Sequence, residues 1–183
     1  MKKSNLSLYS VILLAFLITG CLTVEKKEYT FELKDSKSGT LTIKFINIMS
    51  MMDDTMNVSD SDFTELISTY IDGDQLETDF EPAVVKSKRL FEEGGMLCGE
   101  AVIEFNELNE VGLYQYDEGC PIMFNVSSFL ESETFLSSNG EYGGEIMPVV
   151  FWEKSLKTLK LTTTITAPDE TTIGLLSIYN QRK

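Results

Sequence analysis

Residues 29–48, YTFELKDSKSGTLTIKFINI, carry the alternation that decides the fold class. Tyr29, Phe31 and Leu33 alternate with Thr30, Glu32 and Lys34, a period of two that sends one strand face into a core and the other into water. Asp35-Ser36-Lys37-Ser38-Gly39 supplies turn chemistry, and Leu41, Ile43 and Phe45 resume the alternation. The segment predicts a β-hairpin.

Working outward, Phe63, Leu66, Ile67, Tyr70 and Ile71 recur at i, i+3, i+4, i+7 and i+8. That spacing predicts an amphipathic helix capped by Ser59 or Asp60 and stopped at Gly73, with Asp62, Glu65 and Ser68 turned to water. A second hairpin is predicted from Val84–Phe91 and Met96–Phe105 around Glu92-Glu93-Gly94-Gly95, and a strand over Ile122–Val126. Ser128-Phe129-Leu130-Glu131 has capping-box spacing, which predicts a short helix to about Leu136 before an Asn139-Gly140 turn. Val149–Trp152 and Thr158–Thr166 read as a late hairpin ended by Pro168. The tail, with Ile173, Leu175, Leu176 and Ile178, fits neither period and stays open between strand and helical turn. The expected fold class is α+β, mainly antiparallel hairpins with one amphipathic helix packed on the sheet; the alternative is a small β-barrel or β-sandwich.

The chain has 183 residues with 15 Lys+Arg, 29 Asp+Glu and no histidine. An acidic surface repels phosphate backbones, so nucleic-acid binding is excluded as an expectation. The missing histidine removes serine–histidine and cysteine–histidine hydrolases and the HExxH and C2H2 zinc sites. At 43% hydrophobic residues the chain has enough apolar material for one core.

The N-terminus is cationic at Lys2 and Lys3, mostly apolar from Leu6 to Ile18, and ends in Ile18-Thr19-Gly20-Cys21. The order is that of an export signal. The apolar run is short for a membrane anchor, which needs about 20 residues. An ordinary secretory signal has no need of a cysteine directly after Gly20, and a buried first helix of a cytosolic fold is the third alternative.

Ile18-Thr19-Gly20-Cys21 resembles the lipobox of bacterial lipoproteins, over the first twenty-one residues only. The resemblance implies cleavage between Gly20 and Cys21, a diacylglyceryl thioether on Cys21 and anchoring to the membrane through lipid. Cleavage would leave 163 residues carrying 13 basic and 29 acidic side chains, a net charge of −16. Leu22, where aspartate would resemble an inner-membrane retention signal, favours the outer membrane in a Gram-negative host. In a Gram-positive host the same signal implies the outer face of the single membrane. The expected organisation is a signal peptide over 1–20, a lipidated N-terminus and short tether over 21–28, and one extracytoplasmic domain over 29–183.

Export to an oxidising compartment makes a Cys98–Cys120 disulfide the expected pairing of the two remaining thiols, adding on the order of 3 kcal/mol in the chain-entropy model. Two separate buried thiols are the alternative. Asp53, Asp54, Asn57, Ser59, Asp60 and Asp62 crowd one segment, yet the calcium-loop spacing fails, with Val58 where glycine belongs and Thr64 where a bidentate glutamate belongs. Asp72 and Asp74 flank the helix stop, and Glu92 and Glu93 flank a turn. Lys86 and Lys88 share one strand face while Arg89 points away, a half-polar strand rather than a phosphate site. Trp152 reads as core, and Ser137–Glu145 as a mobile surface loop. No catalytic residue, metal site or cofactor is expected. The first reading is a non-enzymatic envelope binding module with a protein or glycan partner; the alternatives are a carboxylate-dependent enzyme and a small-ligand carrier.

Overall fold

The computed structural model describes residues 22–52, 56–126 and 133–183. In chain order the elements are β1 (Leu22–Leu33), β2 (Gly39–Met51), α1 (Ser59–Glu65) continuing as a π-helical segment Leu66–Ile71, α2 (Gln75–Asp79), β3 (Val84–Glu93) and β4 (Met96–Phe105). A 3-10 turn, Leu108–Val111, leads to β5 (Leu113–Tyr114), β6 (Ile122–Asn125), β7 (Thr134–Ser138), β8 (Glu141–Tyr142), β9 (Val149–Trp152), β10 (Thr158–Thr164), β11 (Thr172–Gly174) and α3 (Leu176–Arg182).

The strands form two open antiparallel sheets, so the barrel alternative is not what the chain adopts. The larger runs β3-β4-β2-β1-β10-β7, with β11 added on β2; the smaller runs β5-β6-β9-β8. The expected first hairpin forms, with Tyr29 opposite Ile43 and Phe31 opposite Leu41. Asp35 Oδ1 accepts the backbone N–H groups of Lys37 and Ser38, and Oδ2 accepts the Ser38 hydroxyl. The second hairpin also forms, its turn made by Gly94 and Gly95, both at positive φ (59° and 77°), the backbone a two-residue hairpin turn requires.

Four expectations are corrected. Residues 22–28 are not a tether: Leu22–Val24 pair with Ile48–Ser50, and Lys26–Glu28 pair with both β2 and β10. The alternation that begins at Tyr29 marks only where β1 enters the core; the polar residues before it still have strands on either side to bond. β9 and β10 do not form a hairpin, because β9 pairs with β6 and β8 while β10 pairs with β1 and β7. Residues 134–138 are strand rather than helix, drawn onto the edge of β10, and the capping box at Ser128–Glu131 lies outside the described residues. The Asn139-Gly140 step does not close a hairpin either: it carries the chain from β7 in the larger sheet to β8 in the smaller. The open tail is both things in succession, β11 and then α3, which explains why neither period fits it.

One core lies between the sheets. Tyr29, Phe31, Leu33, Leu41, Ile43, Ile103 and Phe105 from the larger sheet meet Leu113, Ile122, Val150 and Trp152 from the smaller. Phe31 and Trp152 cross edge to face at 6.3 Å, and Phe124 lies 5.9 Å from Phe31. Such aromatic contacts add about 1 kcal/mol each beyond the area they bury. A second cluster gathers Ile48, Leu97, Phe63, Leu66 and Leu175 where β1 begins and β2 ends. Here Ile48, Met49 and Ser50 are buried in succession, the mark of a strand covered on both faces.

Trp152 is fully buried, and its indole N–H donates to Asn139 Oδ1 at 2.9 Å. The same oxygen accepts the Lys160 N–H at 2.7 Å, and Asn139 Nδ2 donates to the Thr158 carbonyl. A Cβ on Gly140 would lie 2.6 Å from Trp152 Cδ1, so the crossing also needs glycine. The segment expected to be a mobile loop therefore begins as a pinned joint.

Asn139→Ala is expected to destabilise the fold by about 2 kcal/mol, because a buried indole N–H and a backbone N–H lose their acceptor; urea unfolding followed by emission of the sole tryptophan measures it. The Asp35 carboxyl, held down to about 2 chiefly by the Lys37 and Ser38 backbone N–H groups, is expected to titrate there by NMR. A midpoint near the unperturbed value of about 3.9 would mean that the turn is not formed.

Candidate functional site

A buried charged network lies on the core-facing side of β1. Lys27 and Tyr29 project on the same side of the strand, Thr163 of β10 pairs directly with Lys27, and Glu133 enters just before β7. Lys27 Nζ donates to Glu133 Oε1 at 2.7 Å, the Tyr29 hydroxyl at 2.8 Å, and Thr163 Oγ1 donates to Oε2 at 2.6 Å. Burial pushes the Glu133 carboxyl up, but the Lys27 charge and the bonds from Lys27, Thr163 and Tyr29 outweigh it and hold the group below its ordinary value. A carboxylate stabilised in its ionised form by three donors is a poor proton carrier near neutral pH. Its work is to hold the start of β7 onto β10 and β1. Sequence reasoning missed it, because Glu133 fell inside the expected short helix and nothing local marks its partners.

A second buried carboxylate, Asp62, corrects an expectation of exposure: it is 3% exposed and accepts the Ser50 hydroxyl at 2.5 Å. α1 thus turns Asp62 toward β2 with Phe63. Neither Ser59 nor Asp60 caps the helix: it begins at Ser59 after Val58 with no side-chain cap bond, and Asn57 Oδ1 accepts the Ser59 N–H. Asp60 pairs instead with Arg182 of α3 at 2.7 Å. Asp53 and Asp54 lie outside the described residues. The remaining acidic side chains of that segment diverge, and among the described residues no group of three or more His, Cys, Asp or Glu is placed to hold a metal ion.

The two buried carboxylates do not flank one bond. Asp62 is anchored at Ser50, opposite Leu22, and Glu133 at Lys27, five positions along β1, roughly 16 Å at about 3.3 Å per residue. Acid–base pairs in glycoside hydrolysis need about 5–9.5 Å.

Cys98 and Cys120, the pair expected to bond, are free thiols. Cys98 is buried within β4 of the larger sheet, whereas Cys120 stands in the turn before β6 of the smaller, its N–H held by Asp117. The basic residues of β3 are each consumed separately: Lys86 by Glu104, Lys88 by Glu77 and the Gly73 carbonyl, and Arg89 by Glu100. A bulge at Lys86 breaks the simple alternation expected there.

Clefts open on the surface of the described residues at two places. One, of about 250 Å³, lies between the Asp35–Gly39 turn and β5, lined by Lys37, Glu107, Asn109, Tyr114, Gln115 and Glu118. Tyr114 is 54% exposed, and nearby in the chain Tyr116 is 76% exposed. The other, of about 410 Å³, runs between α1 and α3 with Phe63, Ile67 and Tyr179 against Arg182. Neither cleft was anticipated from the sequence; the isolated tyrosines in Leu113-Tyr114-Gln115-Tyr116 were the available signal. No family model, curated protein or solved structure matches the chain.

Ionised Glu133 is favoured by the fold, so the stability it adds is complete above its unfolded value of about 4.3 and is lost as pH falls through its lower folded value. Glu133→Ala is expected to cost about 3 kcal/mol by removing the buried acceptor that Lys27, Tyr29 and Thr163 share, and Glu133→Gln less, since Tyr29 and Thr163 keep an acceptor. Urea titrations at pH 7 and pH 3.5 check both, the difference between wild type and variant shrinking at the lower pH.

Proposed function

We propose that the chain is an envelope lipoprotein, lipid-anchored through Cys21 after cleavage behind Gly20, and that its folded part is a non-enzymatic binding module. The observation that carries the anchoring is the sequence Ile18-Thr19-Gly20-Cys21 behind a cationic and apolar leader. The outer membrane is the favoured location in a Gram-negative host. The binding part of the reading rests on the Tyr114 cleft. Tyrosine offers a flat apolar face and a hydroxyl at low conformational cost, and here it stands beside an amide, an ammonium and carboxylates. That set suits a protein segment or a glycan, both of which present apolar faces edged by hydrogen-bonding groups. Residues 59–71 serve as the amphipathic element, with Phe63 and Leu66 against the sheet and Asp60 and Ser68 outward.

A small-ligand carrier is the second reading, favoured by the larger cleft with its apolar floor at Phe63, Ile67 and Tyr179. An enzyme using two carboxylates has less support, given how far apart Asp62 and Glu133 are anchored.

Mass analysis of the protein from its native host is expected to find an acylated Cys21 as the first residue. An unmodified sulfur behind an intact Met1–Gly20 overturns the anchoring. For the binding role, in-cell crosslinking from position 118, on the rim of the same cleft, is expected to recover a discrete partner. The double variant Tyr114→Ala/Tyr116→Ala should reduce that recovery at least tenfold with Trp152 emission unchanged; equal recovery from both forms rules out the cleft.

A further inference from the structure

Leu22, the residue after Cys21, is already paired with Ser50; Thr23 Oγ1 lies 2.6 Å from Thr166 Oγ1, and Leu22 and Val24 pack on the second cluster. One residue step spans about 3.8 Å, so any group bonded to Cys21 stays within a step or so of the end of the larger sheet. Strand register defines what else lies at that end. β2 finishes there, β11 pairs with its last three residues, and the Thr166 N–H bonds to the Val24 carbonyl. Two large apolar side chains are exposed in this region, Met51 at 41% and Met56 at 62%. Met56 leads into α1, which Asp62 ties back to Ser50.

Resting on the reading of Cys21 as acylated, we infer that this end of the sheet is seated on the lipid surface in a fixed orientation. Met51 and Met56 then contact the bilayer that holds the acyl chains, and the Tyr114 cleft is directed away from it. The occupant is the bilayer because Leu22, on this face, is one residue from the acylated Cys21, which leaves no length of spacer to carry the lipid elsewhere. The opposite end is set by β2, whose thirteen residues span up to about 40 Å and begin at the Asp35–Gly39 turn that borders the Tyr114 cleft. A partner of that cleft is therefore met up to about 40 Å above the membrane. Asp169 and Glu170, in the turn before β11, lie at the membrane end, so the contact relies on the lipid and the methionines rather than on attraction to anionic headgroups.

The test uses the acylated full chain in phosphatidylcholine vesicles containing a lipid with a nitroxide high on its acyl chain. With Cys98→Ala and Cys120→Ser removing the native thiols, a bimane fluorophore is placed by M51C, M56C or Y116C, and Trp152 emission reports that each variant is folded. Quenching several-fold greater at positions 51 and 56 than at 116 is expected. A Gly/Ser spacer of about eight residues between Cys21 and Leu22 should abolish the difference. Equal quenching at all three sites, or at none, while the chain still floats with the vesicles overturns the orientation and leaves the anchor standing. A chain that does not float overturns the anchor itself, and the orientation with it.

Discussion

The fold depends on the contact between Phe31 and Trp152 across two sheets that share no backbone hydrogen bonds within their strand orders. Each sheet alone would expose an apolar face; together they close one core, and truncating an aromatic side chain in such a core costs about 3–5 kcal/mol. Burying Trp152 completely also buries an indole N–H that needs an acceptor. Asn139 provides it from the joint where the chain passes between the sheets, and the same side chain holds the backbone of β10. Sheet packing, indole satisfaction and chain crossing are thus one constraint met at one place.

Charge is arranged to leave that core undisturbed. The pairs Arg89–Glu100, Lys86–Glu104 and Lys44–Glu93 lie on the more exposed surface of the larger sheet, where water screens them and each adds little to stability. Glu133 is different. It is taken inside with Lys27, Tyr29 and Thr163 as its three hydrogen-bond donors, and it fixes where β7 begins. Among the described residues, the carboxylates other than Asp62 and Glu133 lie outside the core.

The two hairpins were legible because Tyr29–Ile48 and Val84–Phe105 bring turn residues and alternating partners close together in the chain. The helix stop at Gly73 was legible too, and a Cβ there would meet the Ser68 and Thr69 carbonyl oxygens at 2.5 Å. The helix itself was only half legible, because apolar spacing at i, i+3, i+4, i+7 and i+8 cannot show that the backbone loosens from α to π after Glu65, with the Asp72 N–H reaching the Ile67 carbonyl. Of the sites, the cleft at Tyr114 was invisible, since Lys37 and Glu118 are brought together only when the two sheets stack.

By itself the sequence determined the antiparallel β character, the local pairings β1–β2 and β3–β4, the Asp35 turn and the exclusion of histidine-based chemistry. Those features rest on residue type and short-range period. Only the tertiary structure decided that β9 and β10 belong to different sheets, that residues 22–28 are strand rather than tether, and that Asp62 and Glu133 go inside. The physical reason is that an alternating strand is equally satisfied by either sheet, and a polar residue equally by water or by a buried partner. The choice falls to contacts such as Trp152–Asn139, Lys27–Glu133 and Ser50–Asp62, whose members lie 12 to 106 residues apart.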